Sequence, residues 1–166
     1  MRTKLIIIAW IAIISGGCAT PKFLPSSNKI DVNQYGSYIK LIPKKGRKVE
    51  GELIAIDSNK IIVITISGKL VSTPINQLKR FYLTYAKPKH YGWTIPVYSL
   101  ATISHGFVAI ISLPINLIVT ISVTVSGEQA FTYNKKKLTY DQLKMFARFP
   151  QGIPDNIDTA KIKYPY

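Results

Sequence analysis

Residues 91–127 read YGWTIPVYSL ATISHGFVAI ISLPINLIVT ISVTVSG, and this stretch decides the architecture. Across these 37 residues there is no Lys, Arg, Asp or Glu, and the only imidazole is that of His105. One α-helical membrane span needs about 20 apolar residues, so the stretch is long for one span and short for two. A bent or re-entrant pair of short helices fits it better than a clean crossing. Thr94 to Ile111 is apolar and interleaved with small residues (Ser99, Ala101, Ser104, Gly106, Ala109). Ser112-Leu113-Pro114 then reads as a helix restart, with Ser at the N-cap and Pro in the first turn, where a missing N–H costs little. Ile115 to Val125 admits two readings. Leu117, Val119, Ile121, Val123 and Val125 alternate with Thr and Ser, which is strand periodicity, while the Ser-Pro start favours helix. A third reading makes the whole stretch the buried core of a soluble domain, because its Ser and Thr lower its hydropathy.

Upstream, the chain begins with Arg2 and Lys4, a ten-residue uncharged run from Leu5 to Ile14, and small residues before Cys18, the only cysteine. Ten apolar residues are too few to span a bilayer, so residues 1–17 are expected to be a signal peptide and are set apart from the fold. Ser15-Gly16-Gly17-Cys18 resembles the lipobox of bacterial lipoproteins, with Ser15 standing where that motif usually carries a branched aliphatic residue. The resemblance implies cleavage before Cys18 and acylation of its thiol, so that membrane lipid is a partner through Cys18. It also implies a location in the cell envelope. Ala19 in place of the Asp that marks inner-membrane retention favours the outer membrane. With Cys18 consumed, the mature chain has no thiol for a disulfide, a metal site or a nucleophile.

The net charge is +14, or +12 once Arg2 and Lys4 are removed, which favours anionic surroundings: head groups, acidic glycans or nucleic acid. Residues 18–34, with Pro21, Pro25, Ser26, Ser27, Asn28 and Asn33, read as a linker behind the lipidated cysteine.

Residues 35–90 read as a compact β module. Expected strands are Tyr38 to Ile42, Val49 to Ile56, Ile61 to Ile66, Leu70 to Thr73 and Leu78 to Tyr85. They are separated by a basic turn at Gly46, an Asp57-Ser58-Asn59-Lys60 turn, a Ser67-Gly68-Lys69 turn, and a break at Pro74 followed by a short turn over Ile75 to Gln77. Five short strands in this length suggest a small SH3-type barrel. The spacing Gly46-x4-Gly51-x-Leu53-x3-Asp57 resembles the first half of the Sm-like signature. That family would imply a five-stranded barrel, often in rings, with Asp57 and a following Asn at an RNA site. Here Asn59 comes too soon after Asp57, and Ile75-Asn76-Gln77-Leu78 replaces the second-half Arg-Gly element. The barrel is therefore carried over, and specific nucleic-acid binding is not. Lys44, Lys45, Arg47 and Lys48 form one basic loop, read either as an anionic-ligand or head-group contact or as a solvated turn.

Residues 128–166 return to polar chain. Thr139-Tyr140-Asp141-Gln142 is a capping box with Leu138 and Leu143 as its staple, and a helix is expected to run from there to about Arg148, before Pro150. Leu143, Phe146 and Ala147 would share its docked face. Asp155 to Tyr166 is expected to be loosely held. The string Ala147-Arg148-Phe149-Pro150-Gln151-Gly152 is similar to one found in small uncharacterised bacterial envelope lipoproteins.

Catalytic chemistry has little support. His90 and His105 have no carboxylate near them in sequence, and Ser104-His105 adjacency does not make a catalytic pair. Glu50 and Glu52 read as one exposed strand face, and the remaining acids are scattered without metal-ligand spacing. The expectation is an α+β chain: a small five-stranded SH3/Sm-like β-barrel, an apolar helical hairpin over 91–127, and a short capped C-terminal helix. Its role would be that of a non-enzymatic envelope protein without cofactor or metal, with residues 91–127 meeting lipid, an envelope protein or a second copy. The alternative is a lipid-anchored module that binds an acidic glycan or another anionic ligand.

Overall fold

The computed structural model describes residues 20–30, 33–89 and 91–165, with Glu128 described in its backbone alone. The expected signal peptide, Cys18 and His90 lie outside the described residues. The chain divides into two compact units: a sheet unit of residues 21–87 and 131–166, and a helical unit built on residues 88–130.

The sheet unit has six antiparallel strands: β1 (Tyr38–Pro43), β2 (Val49–Ile56), β3 (Lys60–Thr65), β4 (Leu70–Pro74), β5 (Leu78–Thr84) and β6 (Thr132–Asn134). Their spatial order is β4-β3-β2-β1-β5-β6. The sheet is open, so the closed five-stranded barrel expected from the sequence is corrected. The reason lies at its edge: β6 pairs with β5, Tyr82 opposite Asn134 and Thr84 opposite Thr132. That pairing occupies the edge of β5 that β4 would need for closure.

The apolar run in β3 shows why the sheet holds together. Ile61 and Val63 join one core cluster with Ile39, Leu41, Leu53, Phe81 and Leu83. Ile64 joins a second cluster, with Ile62 packed against it, on the side of Phe23, Leu24, Ile54 and Ala55. Successive side chains of a strand point to opposite faces, so an unbroken apolar run is what a sheet covered on both faces requires. In β2 the register shifts between Leu53 and Ala55. The extra residue puts Ile54 and Ala55 together on the second face and returns Ile56 to the first.

The covers come from segments expected to be loose. Phe23 and Leu24, in the stretch read as linker, are buried, and so are Ile162 and Tyr164 in the C-terminal tail. The rings of Phe23 and Tyr164 meet edge to face at 5.5 Å. Within the segment read as linker Phe23 and Leu24 dock on the sheet, and the tail expected to be loosely held docks beside them: each segment supplies an apolar lid to the second face, which β1 to β5 cannot cover themselves.

The capping box forms as read. Gln142 N–H donates to Thr139 Oγ1 at 3.3 Å, and Thr139 N–H donates to Gln142 Oε1 at 3.0 Å. The helix is much shorter than expected, an α-turn at Tyr140–Leu143 followed by a 3₁₀ turn at Lys144–Phe146. It ends early because Ala147 turns extended and the chain pairs with β2: Arg148 N–H donates to Leu53 O and Phe149 N–H to Ile54 O. Leu143, Ala147 and Phe146 still pack on the first core cluster, as their spacing suggested.

The helical unit contains α1 (Thr94–Ile103), a 3₁₀ turn (Gly106–Val108) and α2 (Ala109–Gln129). Residues 115–125 are therefore helical, and their strand alternation is set aside. The break falls before Gly106 rather than at Ser112. Gly106 adopts φ +61°, a left-handed conformation that costs Gly little and terminates α1's run. Pro114 lies inside α2, and Ser112 Oγ donates to Val108 O at 3.1 Å instead of capping a new helix.

Candidate functional site

The helical unit carries its polarity the wrong way round for water. Along the seam between α1 and α2, Thr102, Thr120 and Thr124 are buried. Asn116 Nδ2 donates to Thr102 Oγ1 at 2.7 Å across that seam, and Thr102 Oγ1 donates to Tyr98 O at 2.7 Å. Thr120 Oγ1 donates to Asn116 O at 2.8 Å. At the open end of the hairpin, Gly127 makes room for Tyr91: a Cβ there would lie 2.7 Å from the Tyr91 ring. The apolar side chains point outward instead. Phe107 is 88% exposed and Ile111 70%, and Leu100, Ile110, Ile115, Ile118 and Val119 are exposed with them. Soluble proteins seldom leave an apolar patch of this extent uncovered. Gly106–Gly127 is long and apolar enough to cross a membrane. A groove of about 480 Å³ runs beside the seam, lined by Tyr98, Asn116, Thr120 and Val123 among others.

The basic loop joins β1 to β2, and all of Lys44, Lys45, Arg47 and Lys48 are exposed on it. Gly46 turns the loop with φ +92°. Lys48 leans back to the sheet, its Nζ 3.0 Å from Glu50 Oε1, where Lys40 Nζ also lies at 3.1 Å. The Lys48 ammonium, helped by Lys40 and the Tyr38 hydroxyl, holds the Glu50 carboxyl below its ordinary value against the opposing effect of partial burial. The structure leaves Lys44, Lys45 and Arg47 as the outward-facing part of the loop.

Each residue of the Sm-like spacing has a local structural role. Gly46 supplies the left-handed turn. Gly51 passes so close to β3 that a Cβ would lie 2.0 Å from Ile64 O. Leu53 is in the core. Asp57 Oδ1 accepts the Ser58 N–H, closing the turn between β2 and β3.

Glu52 is the residue that sequence reasoning misplaced. It is fully buried rather than on an exposed face. Arg148 holds it with two bonds, Nε to Oε1 at 2.7 Å and Nη2 to Oε2 at 2.5 Å, and Gly36 N–H adds a third at 2.7 Å. Arg148 also lies 5.2 Å above the Tyr35 ring and donates to Lys163 O. Burial pushes the Glu52 carboxyl above its ordinary value, outweighing the downward pull of Arg148 and Gly36. Two signals pointed to this. Glu52 leads directly into the apolar run Leu53-Ile54-Ala55-Ile56, and Arg148 sits in the Ala147–Gly152 string singled out from the sequence. Gly36 packs against the pair, where a Cβ would meet Leu53 O at 1.9 Å, and Arg148 holds the tail to the sheet through Lys163 O.

His105 is exposed in the turn between the helices, and Ser104 Oγ donates to Ala101 O at 2.6 Å rather than to the imidazole. Among the described residues no three of His, Cys, Asp and Glu gather where they could hold a metal ion. No protein-family model, curated protein or solved structure matches the chain. What stands is an α+β chain with an open six-stranded antiparallel sheet, a long apolar helix and short helices.

Proposed function

We propose that the chain is a lipid-anchored protein of the bacterial cell envelope, of the outer membrane, which acts by interaction rather than by catalysis. Acylated Cys18 tethers the mature chain, and residues 91–127 hold it to the membrane or to an envelope partner. The observation that carries this reading is the outward apolar surface of α1 and α2 around a polar seam. Such a surface suits lipid or a membrane partner, because in water it would draw chains together. The test is metabolic labelling with a fatty-acid analogue: wild-type chain takes the label and Cys18→Ser loses it. Equal label on both removes the lipoprotein reading.

A second reading has its own observation. Lys44, Lys45 and Arg47 face outward on one tight turn, an arrangement suited to an acidic glycan or another polyanion. Replacing all three with Glu leaves the sheet folded and, on this reading, abolishes retention on a sulfated-glycan column. Unchanged retention returns the loop to a solvated turn.

A further inference from the structure

We infer that the α1–α2 hairpin is a re-entrant wedge: it dips into an anionic lipid bilayer from one face and returns to that face without crossing. The inference rests on the membrane reading above and adds topology and depth to it.

The first argument is where the segment starts and ends. Thr84, the last residue of β5, lies opposite Thr132 of β6. Tyr85 N–H donates to Phe131 O at 3.1 Å, and the Tyr85 ring stacks on Tyr133. Residues 85 and 131 are therefore neighbours just beyond the paired ends of β5 and β6, and whatever lies between them must leave and return on the same side of any membrane. A single crossing by α2 would tear β6 from β5.

Length supplies the second argument. Tyr91 lies against Gly127 and Thr102 against Asn116, equal steps along the two antiparallel legs, so the legs run side by side. The shorter leg sets the depth. α1 has 10 residues, about 15 Å, and residues 91–106 reach roughly 22 Å at helical rise. The hydrocarbon core is about 30 Å thick. Pulling the turn to the far interface would draw residues 91–93, which precede the helix, into hydrocarbon, where unpaired backbone groups cost several kcal/mol each.

The third argument is chemical fit. The turn carries Gly106, Phe107 and Val108, and Ser104 has already spent its hydroxyl on Ala101 O. In the hairpin the backbone is helical and the hydroxyls of Thr102 and Thr120 are bonded within the seam. Residues 85–127 contain no Asp or Glu, and exposed lysines flank the hairpin in sequence: Lys87 and Lys89 before it, Lys135 to Lys137 after it. Cations near an anionic surface are each worth about 1 kcal/mol, and Trp93 is 62% exposed where an interfacial ring would lie.

The experiment uses the full chain with Cys18→Ser, so that the result is independent of acylation, in sealed vesicles of phosphatidylcholine and phosphatidylglycerol. In one arm, Lys87→Cys/Lys136→Cys is treated with a membrane-impermeant maleimide and weighed intact. Molecules with two labels or none are expected; molecules with one label each mean a crossing and overturn the proposal. In the other arm, a fluorophore on Phe107→Cys, with Val108→Cys as its substitute, is attached in detergent before reconstitution. Nitroxides near the bilayer centre should extinguish most of its emission and aqueous iodide little. Quenching by iodide, or by neither, places the turn in water or against protein, a second copy included, and also overturns it. The fatty-acid label on Cys18 is scored separately, so loss of the wedge and loss of the lipoprotein reading cannot be confused.

Discussion

The sheet unit and the helical unit solve burial in opposite ways. In the sheet unit apolar side chains from both faces go inside, and the charged ones, Glu52 and Arg148 apart, stay at the surface. In the helical unit hydroxyls and an amide fill the seam while Phe107, Ile110 and Ile111 face out. Hydrophobic burial stabilises the first unit. Between the helices of the second, hydrogen bonds and packing hold the seam, and on the membrane reading proposed above lipid would cover the outward face.

The sharpest way to break the comparison is at the Glu52–Arg148 ion pair of the sheet unit. Arg148→Ala leaves Glu52 buried without its partner, and a loss of about 3–5 kcal/mol is expected in urea unfolding. A loss under 1 kcal/mol would mean that Glu52 reaches water. Phe81→Ala, at the centre of the first core cluster, is expected to cost about 3–5 kcal/mol by the same measurement. Phe107→Ala removes the same ring from the helical unit, and there the detergent-solubilised protein should unfold at an unchanged temperature.

Smaller effects sharpen the contrast. Thr139→Ala removes the cap of the C-terminal turn and is expected to cost about 1 kcal/mol. Thr102→Val removes the acceptor of Asn116 in the seam, and about 0.6 kcal/mol is expected in detergent. Acidity separates two neighbouring carboxylates. Glu50 is held below its ordinary value, so its contribution is present above about pH 4.5 and fades as pH falls. Glu52 is pushed the other way, so its contribution is full below about pH 4.5 and fades as pH rises through its folded value. The stability gap between wild type and Glu50→Gln should therefore shrink on acidification, and that for Glu52→Gln should widen. Gaps that move together would show that the two carboxyls share one environment.

Much of the sheet was legible because its turns are chemically explicit. Gly46, Asp57, Gly68 and Pro74 bound the strands within a residue or so of where they lie. β6 was not legible: three residues, Thr132–Asn134, carry no periodicity, and their partner lies across the whole hairpin in sequence. The buried roles of Phe23, Leu24, Ile162 and Tyr164 were hidden for the same reason, since each depends on a partner far away along the chain. In the hairpin, composition announced an apolar unit, but the turn was read at the stronger local signal, Ser112-Pro114. The left-handed Gly106 decided it instead. Glu52 was assigned to a solvated face by strand alternation alone, which says nothing about the segment that comes back to cover it.

That segment has a consequence for the order in which the molecule is made. Glu52 and Arg148 are 96 residues apart, so β1 to β5 leave a synthesising machine long before the guanidinium exists. Until then the carboxylate must stay hydrated, and the second face of the sheet must stay partly open around it. Contacts of such long sequence separation slow folding, because chain entropy is lost before they repay it. The ion pair can therefore form only after the tail has been made. A nascent chain stalled before Arg148 keeps water at Glu52, and its unsealed face is what a protease or chaperone would meet.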